Sequence, residues 1–362
     1  MESWLRFANI QLPARLGNAL LERFGAPEAV FNAKIREMDD LPGMTESQAS
    51  RLADPSFIPT ERQLSFLQSH RVRLITRNDS EYPQNLREIS DAPTVLFTRG
   101  EINEKDRFAV ALVGSRHATP YGRSVTARLA RELTQAGLTI ISGGALGIDT
   151  AAHQAAVDAG GRTVAVLGCG LDFNYPKDNQ RLFERIVEED CGALVTEFPL
   201  GAAPEPWRFP MRNRIISGLS MGVVVMEAGE HSGALLTAGI AAEQGRDVMA
   251  VPGNVDRESS RGTNGLIRDG AILIESAADI MRALGILVME SPKAAPAAPR
   301  LSQNLPENQR RLLEHLTLTP KHIDALSADL KMAPVDVSVQ MTMLELSGMV
   351  RRLPGNCYIR VL

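Results

Sequence analysis

Cysteine is scarce. The 362 residues contain three, Cys169, Cys191 and Cys357, too few and too widely spaced for a disulfide framework or a four-cysteine zinc site. A reducing cytosol is the compartment that fits this usage. Long apolar runs are missing too, none approaching the ~20 residues needed to cross a bilayer. Met1 to Leu16 is broken by Glu2, Arg6, Asn9 and Arg15, which excludes the continuous apolar core of a signal peptide. Neither sign of charge dominates: 39 Lys+Arg against 43 Asp+Glu leave a formal net charge of -4. That excludes coating of a polyanion through bulk charge, although a local cluster of cations survives the average. Three fingerprints are absent as well: G-x-G-x-x-G on a first strand-to-helix turn, the P-loop string, and the metal-ligand spacing H-E-x-x-H.

What is present is enough chain for two to three domains, at roughly 150 residues each. From Trp4 to about His70 the periodicity is helical, with Leu16, Ala19, Leu20, Arg23 and Phe24 recurring at three and four. Leu41-Pro42-Gly43-Met44 followed by Thr45 reads as a hairpin and N-cap between two short helices, the arrangement of helix-hairpin-helix and SAM-like modules. Such a hairpin serves packing or holds a DNA phosphate on its glycine amide, and no basic run adjoins this one. We therefore take residues 1–70 as a helical SAM-like domain.

Between 71 and 287, short β-branched runs alternate with helical stretches, an α/β signature. The clearest strands are Ala109–Val113, Leu138–Ser142, Thr163–Leu167, Ala193–Thr196, Gly222–Met226 and Asp247–Val251. They are near-continuous apolar runs, as expected where helices cover both faces of a sheet. Thr119-Pro120 supplies an N-cap and a proline at the first helical position of the crossover between the first two. The unit repeats, which predicts an open, doubly wound, mostly parallel sheet. Residues 288–306 form a Pro/Ala linker, and 307–362 read as three short helices and a hairpin, a winged helix. Its third helix carries Asp336 and Glu345 and no Lys or Arg, poor equipment for a major groove, so protein contact or domain packing fits it as well as duplex binding does.

Ligands of doubly wound sheets bind beyond the carboxyl ends of the strands. Those ends run into Gly114-Ser115-Arg116, Gly143-Gly144-Ala145-Leu146-Gly147, Gly168-Cys169-Gly170 and Glu227-Ala228-Gly229 with Ser232-Gly233-Ala234. Glycine lets amides approach an anion and the following helix adds partial positive charge, yet tight turns also use glycine for steric reasons alone. Cations on the same rim, Arg116, Lys177, Arg212 and Arg214, strengthen the case for a phosphate-bearing ligand. Asp149 and His153 at i, i+4, with Glu197 and Glu227 at strand ends, form a possible acid/base or metal set. The plainer reading is that Asp149 caps a helix and His153 packs among alanines.

Several ordered strings resemble the DNA-processing protein A family (DprA/Smf): Tyr82-Pro83, Val113-Gly114-Ser115-Arg116, Ser142-Gly143-Gly144-Ala145, Gly147-Ile148-Asp149, Tyr175-Pro176, Arg212-Asn213-Arg214-Ile215-Ile216-Ser217-Gly218-Leu219-Ser220 and Gly262-Thr263-Asn264. The resemblance spans roughly residues 75 to 280. It implies an extended Rossmann-like domain that is not an enzyme, needs no cofactor or metal, binds single-stranded DNA in the cytosol, and loads the recombinase RecA during natural transformation. It carries DNA contact onto Ser115, Arg116, Gly143, Gly144, Lys177, Asn213 and Arg214, to which the rim adds Arg212. It also carries a homodimer interface onto Leu266, Ile267, Ile272 and Leu273, residues that read equally well as core. With Phe173 and Tyr175 the nearest aromatics, the rim is expected to grip phosphates with little base stacking. The alternative is a nucleoside-phosphate hydrolase resembling the lysine-decarboxylase-like phosphoribohydrolases, with Glu227 as acid. That family's P-G-G-x-G-T-x-x-E signature is absent.

Overall fold

The computed structural model describes residues 1–286, 305–317 and 319–361, so residues 288–304 of the expected linker lie outside it. The described residues group into two compact units, one of 1–118 with 126–286, the other of 119–125 with the C-terminal segment.

The first unit opens with α1 (Glu2–Ile10), α2 (Ala14–Phe24), α3 (Pro27–Asn32), α4 (Glu46–Ala53) and α5 (Glu61–Ser69). Thr45 caps α4 by accepting the Gln48 amide, and Thr60 and Gln63 form a reciprocal capping box on α5. Phe7, Ile10, Leu16, Leu20 and Leu52 enclose a small core of their own. Leu5 and Leu67 turn the other way and pack with Val95, Phe97 and Leu194 of the sheet, so the helices sit directly on that sheet.

The strands are β1 (Arg73–Thr76), β2 (Val95–Gly100), β3 (Ala109–Gly114), β4 (Thr139–Ser142), β5 (Thr163–Val166), β6 (Gly192–Thr196), β7 (Gly222–Glu227), β8 (Asp247–Ala250) and β9 (Ile272–Leu273). They lie in the order β1-β2-β6-β5-β4-β3-β7-β8-β9. From β6 to β9 every pairing is parallel, whereas β1 pairs with β2 and β2 with β6 antiparallel. The six expected strands are all present within a residue of their expected ends. β1, β2 and β9 extend the sheet beyond the expectation, and the first two make it mixed at one edge. Helices α6 (Gln84–Arg87), α7 (Pro120–Gln135), α8 (Ile148–Asp158), α9 (Gln180–Glu188), α10 (Arg208–Gly218), α11 (Gly233–Glu243), α12 (Glu258–Arg268) and α13 (Ala277–Ala283) complete the α/β layers. β3, β4, β5 and β7 are buried almost throughout, which is why they read as unbroken apolar runs.

The topology fixes where a ligand belongs. From β3 the chain steps through β4 and β5 to β6 on one side, then returns to β7 on the other side of β3 and continues to β8 and β9. The direction of winding therefore reverses between β3 and β7, and a crevice opens beyond their carboxyl ends.

The C-terminal segment contains α14 (Glu307–His315), β10 (Lys321–His322), α15 (Ile323–Leu330), α16 (Pro334–Leu346), β11 (Val350–Leu353) and β12 (Cys357–Arg360), with strand order β10-β12-β11. This is a winged helix. Its second helix begins only at Ile323, because Lys321 and His322 pair with Tyr358 and Cys357 as a strand and the His322 ring then caps α15. α16 turns Val337, Met341 and Leu344 into the core and leaves Val335, Val339 and Met343 exposed.

Candidate nucleic-acid interface

A cleft of about 720 Å³ occupies the crevice at the β3/β7 reversal. Ser115, Arg116 and His117 line it from the turn after β3, Phe209 and Asn213 from α10, and Ser232 and Gly233 from the start of α11. The turn after β3 is held by main chain on both sides: the Ser115 amide donates to Glu227 O at 2.8 Å, and the Ile148 amide donates to Ser115 O at 3.1 Å. Ser115 Oγ accepts the His117 amide at 3.1 Å, which leaves its own hydrogen free to donate into the cleft. Gly147 makes the fit possible. Its φ is +85°, and a Cβ there would stand 2.3 Å from Ser115 O, so only glycine can hold the two turns together.

The glycine-rich turn after β4 behaves differently. Its natural anion is already present, because Asp149 Oδ2 accepts the Ala145 amide at 3.2 Å from within the first turn of α8. The N-cap position is Gly147, so Asp149 holds the preceding turn rather than capping the helix. Burial pushes the Asp149 carboxyl up, opposed by Arg212 and by bonds to that turn. Arg212 in turn donates to Gly143 O at 2.5 Å and to Val166 O, and burial pulls its guanidinium down to about 10, opposed by Asp149. A side chain at Gly143 would collide with both, at 2.7 Å from Arg212 Nη2 and 2.8 Å from Asp149 Oδ2. Gly144 is covered by Phe183 and Leu167, and its carbonyl accepts from Asn179 Nδ2 at 2.9 Å. Gly143 and Gly144, both expected to contact a ligand, thus do not line the cleft but pack beneath the residues that do.

The four rim cations separate into two kinds. Arg116 is exposed, and among the described residues its guanidinium has no hydrogen-bond or ion-pair partner; it lies over the Phe209 ring at 5.2 Å. Lys177 is also exposed and without such a partner among the described residues, two positions past the cleft-lining Tyr175. Its short helical turn is tied to the floor through Asn179, which also accepts from Thr150 Oγ1 at 3.0 Å. Arg212 is 4 % exposed and bonded as described. Arg214 does not line the cleft: it donates to Asp91 O at 2.8 Å and forms an ion pair with Glu197. Asn213 lines the cleft between them, with its Oδ1 accepting from Arg212 Nε at 3.3 Å.

The candidate acid/base groups are not gathered in the cleft. His153 is fully buried with Nδ1 2.7 Å from Thr163 Oγ1. Since that hydroxyl donates to Ile140 O at 2.8 Å, it accepts from His153, which assigns the ring proton to Nδ1. Burial pulls the imidazole down to about 3, so it is neutral at physiological pH. Glu197 is engaged by Arg214, Glu227 is buried, and neither lines the cleft. No cluster among the described residues could hold a metal ion. Burial also pushes the Cys169 thiol, in the turn after β5, up to about 11, which keeps it protonated.

The aromatic content of the rim departs from expectation. Phe209, from the first turn of α10, stands 5.7 Å from Tyr175 between ring centroids and receives Arg116 and Arg212 over its ring. Sequence reading passed over it because it is remote in the chain from the glycine turns; its place beside Arg212 in an α10 that follows β6 was the available signal. Trp207 is 51 % exposed just before the same helix, stacked on Arg208 at 4.4 Å.

Of the expected interface residues, Leu266 and Ile267 are half-buried on α12, while Ile272 and Leu273 are exposed on β9, the outermost strand. No helix among the described residues is long and apolar enough to cross a membrane.

Comparison with known proteins bears on this arrangement. The family model of DNA recombination-mediator protein A matches residues 73–285, and that of the DprA winged helix domain matches residues 295–356. Protein Smf of Escherichia coli K12 is 35% identical over 366 residues, covering 99% of this chain and 96% of that protein. The X-ray structure of DprA from Streptococcus pneumoniae superposes with a TM-score of 0.65 at 34% identity, covering 76% of this chain and 95% of that one. DprA from Helicobacter pylori, solved for its single-stranded DNA binding mode, gives a TM-score of 0.52 at 29% identity over 59% of this chain and 95% of that one.

Proposed function

Given that this chain belongs to the DNA recombination-mediator protein A family, we propose that it binds single-stranded DNA through phosphate contacts in the β3/β7 cleft and loads the RecA recombinase onto that strand in natural transformation and homologous recombination. The observation that carries the reading is Arg116: an exposed cation without an internal counter-charge among the described residues, at the mouth of a cleft placed where doubly wound sheets bind ligands. Ser115 and Asn213 supply neutral hydrogen-bonding groups beside it, and Lys177 a point charge beyond the lip. Arg212, Gly143 and Gly144 hold the floor on which these groups stand, and Arg214 anchors α10 to Asp91 and Glu197. The protein acts by binding, not by catalysis, and in the cytosol. Two copies associate through the exposed edge formed by Ile272 and Leu273 with Leu266 and Ile267 beside it, an edge that otherwise offers unpaired backbone to any passing strand.

The test is an anisotropy titration of a labelled oligonucleotide, single-stranded against double-stranded, at several salt concentrations. The expected result is a single-strand preference that weakens in Arg116→Ala, with the log-log salt slope flattened by about 0.7 for each phosphate the variant no longer grips. An unchanged slope and affinity in that variant would move the DNA elsewhere. Sedimentation of Leu273→Glu at the same concentrations checks the pairing of copies: a shift from dimer to monomer is expected.

A further inference from the structure

We propose that a small pocket between the N-terminal helices and α10 is a socket for a lysine side chain presented by a protein partner. The pocket, of about 90 Å³, has Phe7, Ala14, Thr94, Glu197, Trp207 and Met211 in its lining and shares no lining residue with the β3/β7 cleft. The start of α10 separates the two: Phe209 and Asn213 line the cleft, Trp207 and Met211 the pocket. Of the polar side chains in the pocket, three are engaged within the fold. Gln11 Oε1 accepts from Arg208 Nη1 at 2.8 Å, Thr94 Oγ1 donates to Asn18 Oδ1 at 3.1 Å, and Trp207 Nε1 donates to Glu205 Oε2 at 2.8 Å. Glu197 differs. One of its oxygens pairs with Arg214, and the other, Oε1, is buried with no hydrogen-bond partner among the described residues. A buried acceptor left unpaired costs free energy that a donor brought into the pocket recovers.

The charges agree. Arg214 also lies 3.6 Å from Asp91, so one guanidinium answers two carboxylates, while Arg208 is answered by Glu205 at 3.3 Å. Among these groups one negative charge is left over, which a water molecule cannot balance and a monocation can. Burial pushes the Glu197 carboxyl up, opposed by Arg214, and a second cation would act in the same direction as that arginine. A single unpaired oxygen suits an ammonium, a point charge on a slender stem, better than a guanidinium whose fork spans two acceptors. The methylenes of a lysine would then lie along Phe7, Trp207 and Met211. The surroundings favour a protein over a free amine. Trp207 is 51 % and Met211 42 % exposed, and the indole is held in place by Glu205 and by Arg208 over its ring at 4.4 Å. Tryptophan and methionine around a charged socket, pre-set in the free protein, have the composition of an interface core.

The experiment titrates the full chain, by ligand-observed NMR, with N-acetyl-lysine methylamide and with N-acetyl-norleucine methylamide, which keeps the stem and lacks the ammonium. The norleucine amide is expected to bind ~10- to 150-fold more weakly, the factor for a hydrogen bond to a charged group. Glu197→Gln is expected to abolish the difference. Because Glu197 also holds Arg214, a second variant avoids that pair: Ala14→Leu fills the pocket from the first residue of α2, where leucine suits the helix, and is expected to lose the lysine amide with an unchanged melting temperature. Equal binding of the two amides, no binding of the lysine amide, or binding that survives Ala14→Leu overturns the socket. Butane-1,4-diamine bound more tightly than the lysine amide would assign the pocket to a free amine and overturn the protein partner. None of these outcomes bears on the single-strand reading, which concerns the other side of α10.

Discussion

The turns after β4 and β3 leave neighbouring parallel strands at the same end of the sheet, both contain glycine, and both bring an arginine against Phe209. The turn after β4 is closed on itself: its amides approach Asp149, its carbonyl accepts Arg212, and the two charges answer each other in the interior. The turn after β3 has its backbone equally well bonded, yet its arginine projects outward. A glycine-rich turn with a nearby cation is therefore not in itself an anion site. What separates the two is whether the chain already supplies the anion.

Changes that break the closed turn should cost most. Arg212→Met leaves the buried Gly143 and Val166 carbonyls without their donor and removes the positive charge that opposes burial of Asp149, and a stability decrease of about 2–6 kcal/mol is expected at roughly 1–3 kcal/mol per orphaned acceptor, measured by urea unfolding. The open turn should answer in affinity instead. Arg116→Ala is expected to leave the urea midpoint unchanged and to weaken single-strand binding by about 1.5–3 kcal/mol, the range for a charge-assisted hydrogen bond, seen by anisotropy. A variant that reduced both stability and affinity would erase the distinction.

Acid sharpens the contrast through His153, one helical turn past Asp149 on α8. Its folded-state pKa is depressed to about 3 from an ordinary 6.5. The unfolded chain takes up a proton as pH falls below about 6.5 while the folded chain does not, so stability is complete above that value and falls by about 1.4 kcal/mol per unit below it, towards pH 3. Thermal melts of wild type and His153→Gln across pH 5 to 7 check this, the variant being expected to show the shallower dependence. The smallest effect belongs to Lys177→Ala, a single exposed point charge: an affinity decrease under about 1 kcal/mol, no change in melting temperature, and a salt slope lower by about 0.7.

The central strands were legible because burial on both faces makes them continuous apolar runs. β1 was not, since Arg73 leads a run of four residues of which two are buried; β9 is two exposed residues long. In β2, Arg99 and Gly100 end a run that lies beside Pro93, and the antiparallel step it makes to β6 has no signature in composition. At the site, the exposed members Ser115 and Arg116 were visible as the residues following a strand. The meeting of Arg212 and Asp149 at Gly143 was not, because the two are brought together only by α8 and α10 converging on one strand end. A local signal did exist: Arg208, Arg212, Ile215, Ile216 and Leu219 recur at three and four, which places Arg212 on the inward stripe of its helix. Periodicity thus marks Arg212 as a cation engaged within the fold, even though it also lines the cleft.

Gly147 has a further consequence for the kinetics of capture. By admitting Ser115 O against α8, it lets the Ser115 amide, carbonyl and hydroxyl all be bonded before any strand arrives. A flexible loop of the same composition would have to give up about 1–2 kcal/mol of backbone entropy per residue on docking. Here that ordering is completed during folding, so a ligand entering the cleft as proposed needs no rearrangement of the turn, and most of the difference between variants of this surface is expected in the dissociation rate.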